Sequence, residues 1–106
     1  METLDYRFEG RTPVQFPRDA VLVGVLASGN LEILLEPAAL EGAMSVRIVT
    51  AAQGFGRVWE AVIGDFAHRH PLRDVRISIN DAGATPAVVS LRLDQAVETL
   101  LAGGTP

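Results

Sequence analysis

The side chains of this 106-residue chain best equipped for nucleophilic or acid–base chemistry are its serines and its two histidines. It has no cysteine, and all nine of its basic residues are arginine. The missing cysteine excludes a disulfide framework, a thiolate zinc site, an iron–sulfur cluster and a cysteine nucleophile. The missing lysine excludes Schiff-base chemistry and a P-loop lysine. Two histidines are too few for a multi-histidine metal site within one chain. Among the serines, Ser78 falls in a strand pattern, Ser90 in a helix pattern, and Ser45 opens a strand. Ser28 alone occupies an expected exposed tip, Ala27-Ser28-Gly29-Asn30, among small residues.

Ser-Gly-Asn is good turn chemistry in its own right, so the residues leave open whether Ser28 only turns the chain or is displayed for chemistry. A serine hydrolase fails on its partners, because His68 and His70 fall at the far end of a helix from Ser28. If Ser28 does chemistry, it is as a residue that becomes modified. The second notable segment is Asp81-Ala82-Gly83-Ala84-Thr85-Pro86. It reads either as a strand-to-helix turn, with Gly83 for unusual dihedrals and Thr85 as N-cap, or as an anion cradle at a helix N-terminus.

Gly54-Phe55-Gly56 has the wrong spacing for a phosphate-binding fingerprint and reads as the start of a helix. Glu32, Glu36, Glu41 and Glu60 form no ligand spacing and suit solvated faces. His68-Arg69-His70 reads as a helix C-terminal cap rather than a metal ligand set, and Trp59 as core. No metal site is expected.

The elements that must position Ser28 follow from periodicity. Leu4, Tyr6 and Phe8 alternate with charged residues, suggesting a short N-terminal strand or arm. Gly10 to Arg18 reads as a connection. Ala20–Ala27 and Leu31–Leu35 read as two strands of a hairpin around Ser28-Gly29-Asn30, and Ser45–Thr50 as a third. Val58, Trp59, Val62, Ile63 and Phe66 put one apolar stripe on a helix within 54–70, which His70-Pro71 ends.

Val75, Ile77 and Ile79 alternate with Arg76, Ser78 and Asn80 in a fourth strand. Thr85-Pro86 starts a last helix whose stripe is Val89, Leu93, Ala96, Val97 and Leu100, stopped by Gly103-Gly104. The expected fold is α+β, a two-layer sandwich of order (β)ββαβα. It has a mixed, mostly antiparallel sheet of about four strands, a possible extra N-terminal strand, and two helices on one face. The position of the fourth strand relative to the hairpin stays open. Following the chain up and down places the Ser28 tip, the 51–56 connection, the Asp81–Thr85 loop and both helix N-termini on one edge. Such an edge suits an anion.

Composition frames these elements as one soluble domain, 1–106, with an arm or strand at 1–19 and a loose tail at 102–106. Apolar residues make up 48% and charged residues 21%, enough for a single core. A net charge of −4 argues against nucleic acid. The longest apolar stretch, Ala20–Leu26, has strand length and is broken by Gly24, so no membrane-spanning helix is expected. Met1-Glu2-Thr3-Leu4-Asp5 lacks signal-peptide architecture, which makes the cytoplasm the expected compartment. Arginine without lysine, with abundant Ala, Gly, Val and Leu, suits a GC-rich bacterial source.

Two blocks carry a family resemblance. Val23 to Glu36, containing Ala27-Ser28-Gly29-Asn30, resembles the hairpin of the malonate decarboxylase acyl carrier (delta) subunits. Asp81-Ala82-Gly83-Ala84-Thr85-Pro86 with Val88 to Leu93 resembles the same family's entry into its last helix. The intervening strand and Trp-containing helix match in order, so the likeness spans about Leu4 to Glu98. The resemblance implies a non-catalytic carrier. Ser28 would hold a phosphodiester-linked 2′-(5″-phosphoribosyl)-3′-dephospho-CoA, with Gly29 and Asn30 shaping the tip. The group's thiol would carry acetyl and malonyl thioesters while malonate is decarboxylated to acetate and CO2.

The implied partners are an alpha acyl transferase, beta/gamma decarboxylase subunits, a prosthetic-group transferase and a malonyl transferase. Family hairpins often read Ser-Gly-Asp. Asn30 keeps the turn propensity and removes a charge. From the expected topology, Asp81, Gly83 and Thr85 are candidates to contact the arm or partner loops. A citrate-lyase-type carrier is disfavoured by the Asp-Ala-Gly-Ala-Thr-Pro block. An unmodified interaction or regulatory domain is the alternative from a different class.

Overall fold

Alternation at the N-terminus becomes β1 (Glu2–Glu9), in which Leu4, Tyr6 and Phe8 are half-buried and the residues at odd positions face solvent. The computed structural model describes residues 1–16 and 19–103. The remaining strands of the main sheet are β3 (Val21–Gly24), β4 (Leu31–Pro37), β5 (Ala43–Thr50) and β7 (Val75–Asp81). A two-residue pair, β2 (Thr12–Pro13) with β6 (Leu72–Arg73), forms a parallel bridge beside it. Two helices, α1 (Gly56–Arg69) and α2 (Pro86–Leu101), complete the chain.

The sheet order is β1-β5-β7-β4-β3. The strand left unplaced by the sequence, β7, inserts between β4 and β5. It pairs antiparallel with β4 and parallel with β5. The parallel pair is the one joined through α1, as a crossover requires. The N-terminal segment is a full edge strand along all of β5, which makes the main sheet five-stranded.

One sheet face buries Val21, Leu31, Ile33, Leu35, Met44, Val46, Ile48, Val75, Ile77 and Ile79. Against it pack Trp59, Ile63, Phe66 and Ala67 from α1, and Val89, Leu93, Ala96, Val97 and Leu100 from α2. The alternate residues, such as Asp5, Arg47, Arg76, Ser78 and Glu32, form the opposite, wetter face.

Several expectations are corrected. The first hairpin strand stops at Gly24 rather than reaching Ala27. Gly24 has φ +89°, and a Cβ there would lie 2.2 Å from the Leu31 carbonyl oxygen, so the ladder turns away at a position only glycine fits. Val25 and Leu26 are left exposed in the following connection. The first helix, α1, falls within the expected 54–70 span, but Val58 of its apolar stripe is 41% exposed. The Gly10–Arg18 connection contains the β2 bridge, missed because two residues carry no period. Pro17 and Arg18 of that connection and residues 104–106 of the expected tail lie outside the described residues. Phe16 packs against the core, and Ala102 and Gly103 close α2 through N–H donation to Glu98 and Leu100.

The edge away from Ser28 is fastened by a residue that periodicity does not mark. Asp74 has φ +55°, and its Oδ1 accepts from Leu40 N (3.1 Å) and Gly42 N (2.8 Å). The Gly42 and Leu40 N–H groups, with a smaller contribution from Arg73, hold the Asp74 carboxyl below its ordinary range. A depressed folded pKa stabilises the fold above the unfolded value, near 4 for an aspartate, and the gain is lost as pH falls through the folded value. Asn tolerates φ > 0 and keeps the acceptor oxygen. The Tm of Asp74→Asn, measured from pH 6 to 2.5, should therefore fall less steeply below about pH 4 than that of the wild type.

Candidate functional site

The register of the central strands brings the chemistry-bearing loops together. Asp81 at the end of β7 pairs with Leu31 at the start of β4 and with Thr50 at the end of β5. The 25–30 connection, the 51–55 connection and the Asp81–Thr85 loop therefore share one edge, and α1 and α2 both begin there. This is the edge expected from the order of elements.

Ser28 sits exposed in a turn closed by Asn30 N donating to Ala27 O at 2.9 Å. Gly29 follows at φ +75°, the positive angle that a type II turn needs at its third position. A Cβ built on Gly29 meets nothing within 4 Å, so the space beside Ser28 is open. The turn is not a free hairpin tip. Gly29 N donates to Ala82 O (2.8 Å), and Ala82 N donates to Asn30 O (2.9 Å). These bonds extend the β4–β7 ladder to the turn itself and fasten it to the last loop. A backbone clipped this way fixes the position from which the exposed Ser28 side chain projects into solvent.

The loop is held in turn by Asp81, which is 5% exposed. Its carboxylate accepts from Thr50 Oγ1 (2.9 Å), Gly83 N (3.1 Å) and Ala84 N (2.9 Å). Its carbonyl accepts from Ala51 N at 3.0 Å, and the buried Thr50 hydroxyl oxygen accepts from Ala52 N. Asp81 thus shapes two connections at once, with its side chain turned inward. Gly83, at φ +94°, and Thr85 remain exposed. Thr85 Oγ1 accepts from Val88 N at 3.3 Å and Pro86 follows it, the N-cap read from the sequence. Thr85→Ala should cost about 1 kcal/mol, visible as a shift of the urea midpoint with an unchanged slope.

Between the two helix starts lies an apolar notch of about 350 Å³, lined among others by Phe55, Val58, Trp59, Gly83, Pro86 and Val89. No histidine reaches this edge. His70 caps the other end of α1, its ring 5.3 Å from that of Phe66 and its Nε2 3.5 Å from Asp94. Arg69 bridges Asp65 and Asp94 there. Ser28 therefore has no neighbouring histidine base.

One residue at the site escaped the sequence reading. Arg92, on α2, donates from Nε to Asn30 Oδ1 at 3.3 Å and from Nη1 to Gln95 Oε1 at 2.9 Å. Asn30 Oδ1 also accepts from Leu31 N. Arg92 and Asn30 are 62 residues apart, so no local spacing could have paired them.

The family model described as malonate decarboxylase delta subunit (MdcD) matches residues 18–100. The chain is 89% identical over 103 residues to the malonate decarboxylase acyl carrier protein of Stenotrophomonas maltophilia K279a, covering 97% of each chain. It is 66% identical over 100 residues to the protein of that name from Xanthomonas euvesicatoria pv. vesicatoria, covering 94% and 95%. The fold is similar to a chain in the crystal structure of a Pseudomonas malonate decarboxylase hetero-tetramer in complex with malonate. The TM-score is 0.81 at 37% identity, over 94% of this chain and 99% of that one.

Proposed function

The chain belongs to the malonate decarboxylase delta subunit family, and on that premise we propose that it is the acyl carrier subunit of a bacterial malonate decarboxylase, loaded through Ser28. The observation that carries this reading is the clipped turn. Ser28 is exposed, Gly29 leaves open space beside it, and Gly29 and Asn30 are hydrogen-bonded to Ala82. These residues fit the phosphoribosyl-dephospho-CoA group that the resemblance implies. A bulky phosphodiester needs an unencumbered hydroxyl, and a swinging arm needs a rigid root.

When bound, the group supplies the thiol that holds the acyl unit as a thioester while the other subunits act on it. The chain's own residues root and orient the arm and carry out no bond-making of their own. Without a histidine base beside it, Ser28 depends on the loading transferase to take its proton. Asp81 serves by setting the loop that clips the turn. Gly83 and Thr85 border the face on which the arm or partner loops lie. Val25 and Leu26, 63% and 53% exposed within a few residues of Ser28, give partner subunits an apolar foothold. The setting for this work is the cytoplasm.

Intact-mass analysis after co-expression with the prosthetic-group transferases tests the proposal. A carrier gains the mass of one dephospho-CoA-derived group. A protein that stays at its unmodified mass in the presence of active transferases is an interaction domain, and the proposal falls.

A further inference from the structure

We infer that Arg92 is a phosphate-binding residue that holds the phosphodiester formed on Ser28; this rests on the carrier reading and extends it to a residue with no assigned role. Arg92 is half-buried, and its guanidinium is oriented by two side-chain contacts, Asn30 Oδ1 and Gln95 Oε1. Both acceptors are neutral amides. Among the described residues Arg92 forms no salt bridge, whereas Arg47 is paired with Asp5, and Arg69 with Asp65 and Asp94. A cation that is partly removed from water and aimed by amides has been positioned without being neutralised. Such a group favours an anion at its free edge.

Neither contact uses Nη2. The planar fork retains donors suited to two oxygens of a phosphate. The anion that this edge would meet is fixed by the sequence of contacts. Asn30, which tethers Arg92, lies two residues from Ser28 and is the closing residue of its turn. A phosphodiester on the Ser28 hydroxyl carries one negative charge on a tether of a few bonds. The starts of α1 and α2 face the same edge and add their positive ends to the local field. Asn30 matters here through its neutrality. An acid at that position would occupy the guanidinium before loading.

The test uses 15N-arginine-labelled protein in its apo and loaded forms, with loading verified by mass. The Arg92 guanidinium signals are identified by their loss in Arg92→Gln. On loading, the Nη–H signal should shift and its exchange with water should slow by about tenfold or more, as a charge-assisted hydrogen bond from the free Nη2 requires, while Nε–H stays on Asn30. The signals of Arg47 and Arg69 should not move. Asn30→Asp should shrink the change by pairing Arg92 in the apo form. A loaded protein whose Arg92 Nη–H signal is the same as in the apo form overturns the inference and leaves the carrier reading intact. Failure of the wild type to gain mass overturns the carrier reading, and the inference with it.

Discussion

Ser28→Ala should abolish malonate decarboxylation in a complex reconstituted with this chain, lowering turnover to that of a mixture without carrier. The substitution removes one exposed hydroxyl at a position with ordinary backbone angles. Its effect on stability should stay within about 0.5 kcal/mol, the usual range for surface changes away from special features. Loss of function with an unchanged Tm separates a missing attachment atom from a damaged fold. Ser45→Ala, made inside β5, is the control: it should retain both loading and turnover. Wild-type turnover by Ser28→Ala would mean that the acyl unit is held elsewhere.

The second large effect concerns the buried node beneath the turn. Asp81→Ala leaves the Thr50 hydroxyl and the Gly83 and Ala84 N–H groups without their acceptor. Hydrogen bonds to a charged acceptor contribute about 1.5–3 kcal/mol each and do not add simply, so a total loss of about 2–4 kcal/mol is expected. For a domain of this size that is a fall in Tm of roughly 10–20 °C. The damage should also reach Ser28. Loosening Ala82 weakens its bonds to Gly29 and Asn30, so the Gly29 amide should exchange with solvent faster while Ser28 still becomes loaded, more slowly. Thr50→Val removes one of the three donors and should cost less. A double-mutant cycle between Thr50→Val and Asp81→Ala should show coupling, because the two side chains share one hydrogen bond.

The parts of this molecule legible in the sequence were those carried by local pattern. Alternation marked β1 and β7, and the stripe from Val89 to Leu100 marked the buried face of α2 residue by residue. Thr85-Pro86 marked its start. Following the chain up and down then sufficed to bring Ser28, the 51–55 connection and the Asp81–Thr85 loop to one edge. What local pattern could not supply were features set by backbone sign or long-range pairing. Gly24 ends β3 because of a positive φ and a close carbonyl, neither of which alters the apolar run in the sequence. The insertion of β7 between β4 and β5 depends on competition among strands of similar composition.

Asp81 was recognised as a loop residue. Its burial against Thr50 needed the parallel register of β5 and β7. Arg92 entered the sequence reading only as one residue of the Val88–Leu93 block, and its pairing with Asn30 needed the fold to bring the two together. The absence of cysteine also reads differently against the turn. It excludes a thiol in the polypeptide, while the carrier reading supplies one from outside, on Ser28.

That reading is tested most directly by locating the added mass. Since arginine is the only basic residue for trypsin to cut after, cleavage at Arg18 and Arg47 releases one peptide that holds both Ser28 and Ser45. After co-expression with the loading transferases, fragment ions from this peptide should carry the phosphoribosyl-dephospho-CoA mass on Ser28 and none on Ser45. The same mass found on Ser45, on another peptide, or nowhere in the chain would contradict the assignment of Ser28 as the root of the arm.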